Sequence, residues 1–425
     1  MRGKLLTLST AQTVSAVGSQ VTIVALPLSA VLIMHAGAAQ MGVLVALSVL
    51  PYPILALWVG AWVDRLSRRR ILILADWARA LLLGSIPVAA ALGVLTMLQL
   101  YVVACAAGCA SVWFDVAYTS YIAQVVPRKQ LASANSTVAV SRSCAQVAGP
   151  GLGGVAVQVF TAPLAITMDA FSFVCSGLLM ARIKDDPIVS TIERRRIWAE
   201  IVEGARFVRR TPVLGMPALA MSMVNLFSFV QYAVFALYAI STLRLGPALY
   251  GTVLLLGSCG AVVGGLLARP AAGRLGIGPA VIIGTALFGV APILVAGACG
   301  PRYSVVAMLV AGLFLTALGL SVLDVNLVSL RQACAPTQIQ GRVGATVRTV
   351  NWAMKPLGAV LGGLLGGTIG LRGTIWVAVA GGAVGAVWML LSPIRGVREV
   401  GDVKTEPSDD VTAKPSAETK MEMVS

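Results

Sequence analysis

Windows of about 20 apolar residues recur along almost the whole of this chain, and segments of that kind are stable as helices surrounded by hydrocarbon, where every backbone group bonds internally. They fall near 7–34, 38–62, 71–92, 97–121, 133–159, 163–182, 213–242, 248–268, 277–299, 303–331, 342–369 and 372–392. With 58% hydrophobic and 12% charged residues, the chain carries about half the charge of an average soluble domain. The reading is an all-α integral membrane protein of twelve transmembrane helices. The first run is too long for a signal-peptide core of roughly 7–15 residues, so it is expected to be a membrane helix.

A net charge of +15 suggests nucleic acid in a soluble protein, but its distribution points elsewhere. Of 32 basic residues, 25 fall at the ends of the chain or in loops on one side of the twelve runs, whereas Arg244, Arg302 and Arg372 fall in the opposite loops. Basic loops stay on the cytoplasmic side, so both termini are expected there and no nucleic-acid partner is implied. The seven cysteines lie in or beside apolar runs without a C-x-x-C, and His35 is the only histidine. Neither a disulfide framework nor a metal site is expected.

The two halves read as copies. Arg142 precedes Pro150 by eight residues in RSCAQVAGPGLGG, Arg348 precedes Pro356 by eight in RTVNWAMKPLGAVLGG, and both equivalences are 206 residues apart. Six crossings return the chain to its starting side, so the copies are parallel, pseudo-symmetric six-helix bundles. The expected domains are 1–183, a linker at 184–212, a second bundle at 213–393 and a disordered cytoplasmic tail at 394–425. Within the linker, Ile197, Trp198, Ile201, Val202, Ala205 and Val208 recur at helical spacing among arginines. That is a basic amphipathic helix suited to the inner leaflet.

Between the second and third runs stands GAWVDRLSRRR, Gly60 to Arg70. Gly60 permits close helix approach, Asp64 is an acceptor for the exposed amides of a helix N-terminus, and the arginines favour the cytoplasmic side. Gly60, Asp64, Arg65, Arg68 and Arg69 match G-x-x-x-D-R-x-x-R-[RK], and in this the chain resembles the major facilitator superfamily, with Ser67 where the family usually has Gly. The resemblance spans roughly residues 5–393. SAVGSQVTIVALPL, ADWARALLL and LASANS look like the branch holding macrolide efflux proteins and the enterobactin exporter. It implies that Asp64 faces the start of the eleventh helix around Gly341 to Ala345, and that Asp115, near the inner end of the fourth helix, pairs with Arg68. Together these form a latch that closes the cytoplasmic side. Gly149, Pro150, Gly153 and Gly154 are similar to the G-P-x-x-G-G pattern of the superfamily's antiporters. Simple enrichment of Gly and Pro in membrane helices is the plainer account.

Charges inside apolar runs cost about 2.5–3.5 kcal/mol each on insertion scales, so each calls for a partner or a function. Arg142 and Asp324 lie at mid-depth, Arg348 shallower and Lys355 deeper. Asp324 is expected to neutralise one of these cations across a central cavity, leaving positive charge that suits an anionic or proton-competing substrate group; a salt bridge that only locks helices is the alternative. The Asp76–Arg79 pair sits near the inner end of the third helix, and Asp169 reads as a local cap. On the seventh helix Phe227, Gln231, Phe235 and Tyr238 share a face suited to an amphipathic substrate, although such a stripe is more often packing or lipid contact. Trp113, Phe114 and Tyr118 carry the same ambiguity.

With no P-loop and no catalytic triad, neither direct ATP use nor enzyme chemistry is expected, and no cofactor is needed. The expected activity is secondary active export of a small organic molecule, such as an antibiotic or siderophore, by proton antiport in the cell membrane, with the chain acting as a monomer. The alternatives are an importer or facilitator, a membrane-embedded enzyme, and a relative without transport.

Overall fold

The computed structural model describes residues 2–63, 65–126, 130–183, 197–336 and 339–398, with the side chains of 2–7, 57, 61, 132, 197–202 and 204 outside that set. The first half comprises α1 (Arg2–Leu32), α2 (Ala38–Val49), α3 (Pro51–Val63), α4 (Arg68–Ala91), α5 (Met97–Val125), α6 (Leu131–Val159) and α7 (Ala162–Ala181). After α8 (Ile197–Arg210), the second half comprises α9 (Pro212–Leu237), α10 (Pro247–Leu275), α11 (Ile277–Val290), α12 (Ile293–Ala296), α13 (Arg302–Cys334), α14 (Gln340–Thr368) and α15 (Gly370–Leu391).

Each of the twelve apolar runs is helical, and three depart from a plain α-helix. The second bends between α2 and α3, where Pro51 lacks a donor and crowds the preceding turn. Leu50 keeps helical dihedrals (φ −57°, ψ −38°), so the run is kinked but not cut. The ninth is interrupted before α12 at Pro292, and α9 continues into a π-helical turn at Tyr238–Thr242. Among the described residues, ten spans are long and apolar enough to cross a membrane. Helices α6 and α14 are not among them, because their glycines and polar side chains dilute the apolar content.

The repeat seen in the sequence is present in the packing. Helix α1 packs on α6 and α7 as α9 packs on α14 and α15, and α4 packs on α5 and α7 as α11 packs on α13 and α15. The halves meet along two seams, α2 with α14 and α6 with α10. An even number of crossings puts the start of α1 and the end of α15 at one face, the terminal face; the opposite face is the far face.

Small residues bring the halves into backbone contact toward the far face. A Cβ on Gly42 would lie 2.6 Å from the Cα of Gly363, and one on Gly154 would lie 2.5 Å from the Cα of Gly251. Toward the terminal face the same helices are exposed. Ser133, Asn135, Ser136, Thr137, Ser143 and Gln146 of α6 are all solvent-accessible, as are Ala345 and Arg348 of α14. Polar side chains of this kind fit water better than hydrocarbon, so a chamber opens at the terminal face and narrows toward the far one.

Two expectations change at the terminal face. Residues 394–398, read as the start of a disordered tail, pack instead on α11: Ile394 is fully buried, and the N–H groups of Ile277 and Gly278 donate to the carbonyls of Arg398 (3.2 Å) and Val397 (2.9 Å). A helix start leaves donors without partners, and the descending chain supplies acceptors. Gly60, expected to let helices approach, has nothing within 4 Å of its Cβ position because α3 borders the open mouth. The remainder of the tail lies outside the described residues. Helix α8 packs on α9 and α14, with Phe207 in a cluster that includes Leu214, and Glu203 accepts from Arg342. The side chains of Ile197, Trp198, Ile201 and Val202, which carry most of its expected apolar face, are outside the described set.

These contacts predict opposite outcomes for two glycine substitutions. Gly154→Val should overpack the α6–α10 seam and destabilise the protein by about 1–3 kcal/mol. Gly60→Ala should stay within about 0.5 kcal/mol of the parent. Unfolding of the purified protein in detergent measures both.

Candidate functional site

The first half buries a charged cluster at mid-depth. Asp76 and Arg79 stand one turn apart on α4, about two to three turns from its start, and form an ion pair of 2.5 Å with both side chains almost fully buried. The Ser176 hydroxyl donates to the other Asp76 oxygen at 2.7 Å. The Arg79 guanidinium lies between the rings of Phe114 (4.2 Å) and Phe173 (4.1 Å), which replace water on both faces of the cation. The ambiguity over Phe114 therefore resolves as packing against a buried charge. Tyr118 stacks on Phe114, and Trp113 borders the same core.

Asp169 is not a local cap. It lies seven residues into α7, about 10 Å along the helix, and is 1% exposed. Thr22 of α1 donates to one carboxylate oxygen at 2.5 Å and Ser172 to the other at 3.1 Å. Gly18 is the reason α1 comes so near: a Cβ there would fall 2.7 Å from the Asp169 carboxylate. The carboxylate thus joins α1 to α7 across the bundle.

Asp115 pairs with Arg142 at 3.0 Å, both side chains about two-fifths exposed, and not with Arg68. Helix α5 runs to Val125, four residues beyond its expected end, which sets Asp115 ten residues from the terminus and too deep for the loop. Arg68 instead donates to Gln124 at 3.0 Å, and Arg69 donates to the carbonyls of Met180 (3.3 Å) and Ala181 (2.6 Å) at the end of α7. These arginines hold the first half together by capping its helices. Arg65 is exposed, and Asp64, with its expected contact near Gly341 to Ala345, lies outside the described residues.

Among the described residues no ion pair joins Asp324 to Arg142, Arg348 or Lys355, the cations expected to meet it, and Arg142 is engaged within its own bundle. Asp324 lines a small cavity of ≈ 60 Å³ with Met221, Arg331 and Asn351, and both it and Arg348 act electrostatically on Arg331. Lys355 sits at the middle of α14, its ammonium 3.6 Å from the centroid of the Trp352 ring and 5.3 Å from that of Phe229. Trp352 in turn stacks on Tyr52 of the first half, with centroids 4.0 Å apart. Lys355 forms no ion pair among the described residues, so an aromatic-framed cation stands at the seam. Beside it, a cavity of ≈ 540 Å³ between α2, α3 and α14 is lined by Leu47, Pro53, Ala353 and Leu357 and is apolar.

The face expected on the seventh helix is packing. Phe227 lies against Gly381 of α15, Phe235 is 4% exposed and 5.8 Å from the Tyr250 ring, and Gln231 is buried. Tyr238 is fully buried, donates weakly to the Val295 carbonyl (3.5 Å) and accepts from Arg372 (3.3 Å). Helix α9 packs on α14, α15 and the first half, which buries Gln231, Phe235 and Tyr238 of that face and leaves Phe227 part-exposed. Along α6 the glycines divide: Gly149 and Gly153 take Gln20, Val21 and Val24 of α1, while Gly151 and Gly154 meet Leu255 and Gly251 of α10. Pro150 lies between them, its carbonyl 2.7 Å from the Cβ position of Gly251.

Tyr52, Trp352 and Asp169 were missed as site residues. A ring three residues before Lys355 shares its helical face, and Ser172 and Ser176 extend the Asp169 face along α7, so both signals were available.

Two repeated bundles, joined toward one face and parted over polar side chains at the other, define a multi-pass membrane transporter and not an enzyme. The Major Facilitator Superfamily model matches residues 8–239, more than half of the chain, and the chain belongs to that superfamily. It is similar to the multidrug efflux pump Tap of Mycolicibacterium fortuitum, 29% identical with 88% of this chain and 91% of that one covered. An uncharacterised MFS-type transporter, YfiS, of Bacillus subtilis (strain 168) is 25% identical, with 86% and 88% covered. Among solved structures, the nucleoside transporter NupG shares the fold at a TM-score of 0.72 and 11% identity, covering 91% of this chain and 98% of that one. A bacterial homologue of the iron transporter ferroportin in its inward-facing state does so at 0.73 and 17%, covering 92% and 98%.

The two ion pairs of the first half should respond differently to neutralisation. Asp76→Asn leaves a buried guanidinium without its counter-ion and should cost about 3–5 kcal/mol. Asp115→Asn, in a solvated pair, should cost about 0–1 kcal/mol. Denaturant unfolding in detergent distinguishes them.

Proposed function

We propose that this protein is a secondary active exporter of small organic molecules, working as a monomer in the cell membrane with both termini cytoplasmic, and exchanging its cargo for inward-moving protons. The terminal face is then the cytoplasmic one, and the chamber is in its cargo-loading position. The observation that carries this reading is the chamber itself, sealed toward the far face by small residues and holding at the seam, among aromatic rings, a Lys355 that forms no ion pair among the described residues. Kinship to a protein named as a multidrug efflux pump supports export over import.

Alternating access follows from the two seams. Residues 1–183 and 213–393 rock as bodies with 184–212 as tether, and the α6 run of Gly149, Pro150, Gly153 and Gly154 is the bending surface. When the terminal face shuts, Gly60, Asp64, Arg65, Arg68 and Arg69 come against the start of α14 and complete the latch. Lys355, framed by Trp352, Phe229 and Tyr52, receives an aromatic or anionic part of the cargo, and Arg142, Asp324 and Arg348 set the potential of the approach. One proton crossing about 100 mV supplies about 2.3 kcal/mol, enough for a cargo gradient of about fortyfold.

Expression in an efflux-deficient bacterium tests the reading against a panel of antibiotics and siderophores. Resistance to at least one compound should rise and should vanish with an uncoupler; raised uptake of every affected compound would make the protein an importer. Lys355→Gln should lower the affinity for an exported aromatic compound about 5- to 30-fold, the equivalent of a desolvated cation–π contact of about 1–2 kcal/mol. The concentration dependence of efflux gives that number.

A further inference from the structure

Past the three arginines that open α4, the membrane-spanning part of the first half holds three carboxylates and two guanidiniums among the described residues: Asp76, Asp115 and Asp169 against Arg79 and Arg142. Two carboxylates take the two cations directly, Asp76 with Arg79 and Asp115 with Arg142. Asp169 is left with hydroxyls, from Thr22 and Ser172, and feels only an Arg79 already bound elsewhere. Described α1 side chains offer hydroxyls and no titratable group, α4 offers Asp76 and Arg79, and beyond Arg79 come Asp115 and Tyr118 of α5 and Arg142 of α6. A carboxylate 1% exposed and without a cation of its own is far cheaper to keep neutral than charged.

A second observation points to a path. The Tyr118 hydroxyl is buried without a hydrogen-bond partner, its ring stacked on the Phe114 that lies under Arg79, and it is within electrostatic range of Arg142. An unpartnered buried hydroxyl is where an internal water is accommodated, and this one stands between the half-exposed Asp115–Arg142 pair and the buried cluster.

Resting on the proton-driven reading above, we propose that Asp169 is the proton-binding site of the transport cycle. The carboxyl O–H breaks to an internal water as an O–H of hydronium forms, and the proton leaves past the Asp76–Arg79 cluster toward the Tyr118 hydroxyl; the carboxylate left behind is held by Thr22 and Ser172 in the field of Arg79 until a proton returns from the far face. The movable element is α1. Thr22 holds Asp169, while Gln20, Val21 and Val24, on the neighbouring face of the same two turns, sit against Gly149 and Gly153 of α6. Helix α6 closes the far face through Gly154 and Gly251, so charge at Asp169 changes the seat of α1 and with it the seal.

The full chain in lipid nanodiscs tests this without any cargo. Infrared difference spectra across a pH titration follow the carbonyl stretch of a protonated carboxyl, and paired spin labels on α6 and α10 at the terminal face follow opening. The parent should lose the band and change its label distance with one midpoint. Asp169→Asn should abolish both changes, Asp169→Glu should restore them with a shifted midpoint, and Asp115→Asn should leave the band in place. A band and movement unchanged in Asp169→Asn, or lost only in Asp115→Asn, overturns the proposal. Should Asp169→Asn fail to fold, Asp169→Glu decides alone: a moved midpoint supports the site and an unmoved one sinks it. Ethidium efflux, measured in cells in parallel, keeps the two readings apart. A titrating Asp169 in a chain that exports nothing removes the exporter and leaves the site, whereas uncoupler-sensitive efflux retained by Asp169→Asn removes the site alone.

Discussion

In hydrocarbon, apolar side chains gain nothing by leaving lipid for one another, so two membrane bundles hold together only where their backbones come close enough for dense packing. Gly42 against Gly363 and Gly154 against Gly251 supply that closeness. All four lie on the far-face side of the seams, and among the described residues no other pair of glycines brings the halves into backbone contact below them. Three of these helices, α6, α10 and α14, carry polar or exposed stretches toward the terminal face, where close packing would trap unsatisfied groups. A seal at one end and water at the other are therefore two results of how small residues are distributed along α2, α6, α10 and α14.

Charge follows a different logic in the two halves. The first half encloses its ions: Arg79 is walled by two rings and a carboxylate, and Asp169 is wrapped by hydroxyls. The second half leaves Asp324 and Arg348 exposed and sets Lys355 among rings, with no ion pair among the described residues. A symmetric ancestor read off the 206-residue repeat would treat the halves alike. Their chemistry has diverged while the packing of α1 and α9 on their neighbours has stayed the same.

The helices and their repeat were legible because twenty-residue apolar runs leave so little choice of structure. Side-chain partners were not, because they depend on where a helix ends and which way it is turned. Four extra residues on α5 moved Asp115 inward by about 6 Å and from Arg68 to Arg142. The Phe235 and Tyr238 face was read rightly as one stripe, but a stripe does not say whether it meets a chamber or another helix. Asp169 lies near a loop in sequence, but Gly18 brings α1 against it from another part of the chain, and no spacing within α7 reveals that contact.

The modest apolar content of α6 and α14 has a consequence for how the protein is made. Insertion machinery partitions segments into lipid roughly as they emerge, and these two, rich in glycine and carrying Arg142, Arg348 and Lys355, gain little from entering alone. Each is followed within one or two residues by a strongly apolar helix, α7 or α15, and is well placed to enter with it as a hairpin. The segments that line the chamber are then the last of each half to be secured during biogenesis, and a lesion in α7 or α15 would be felt first as failed assembly of the neighbour that precedes it.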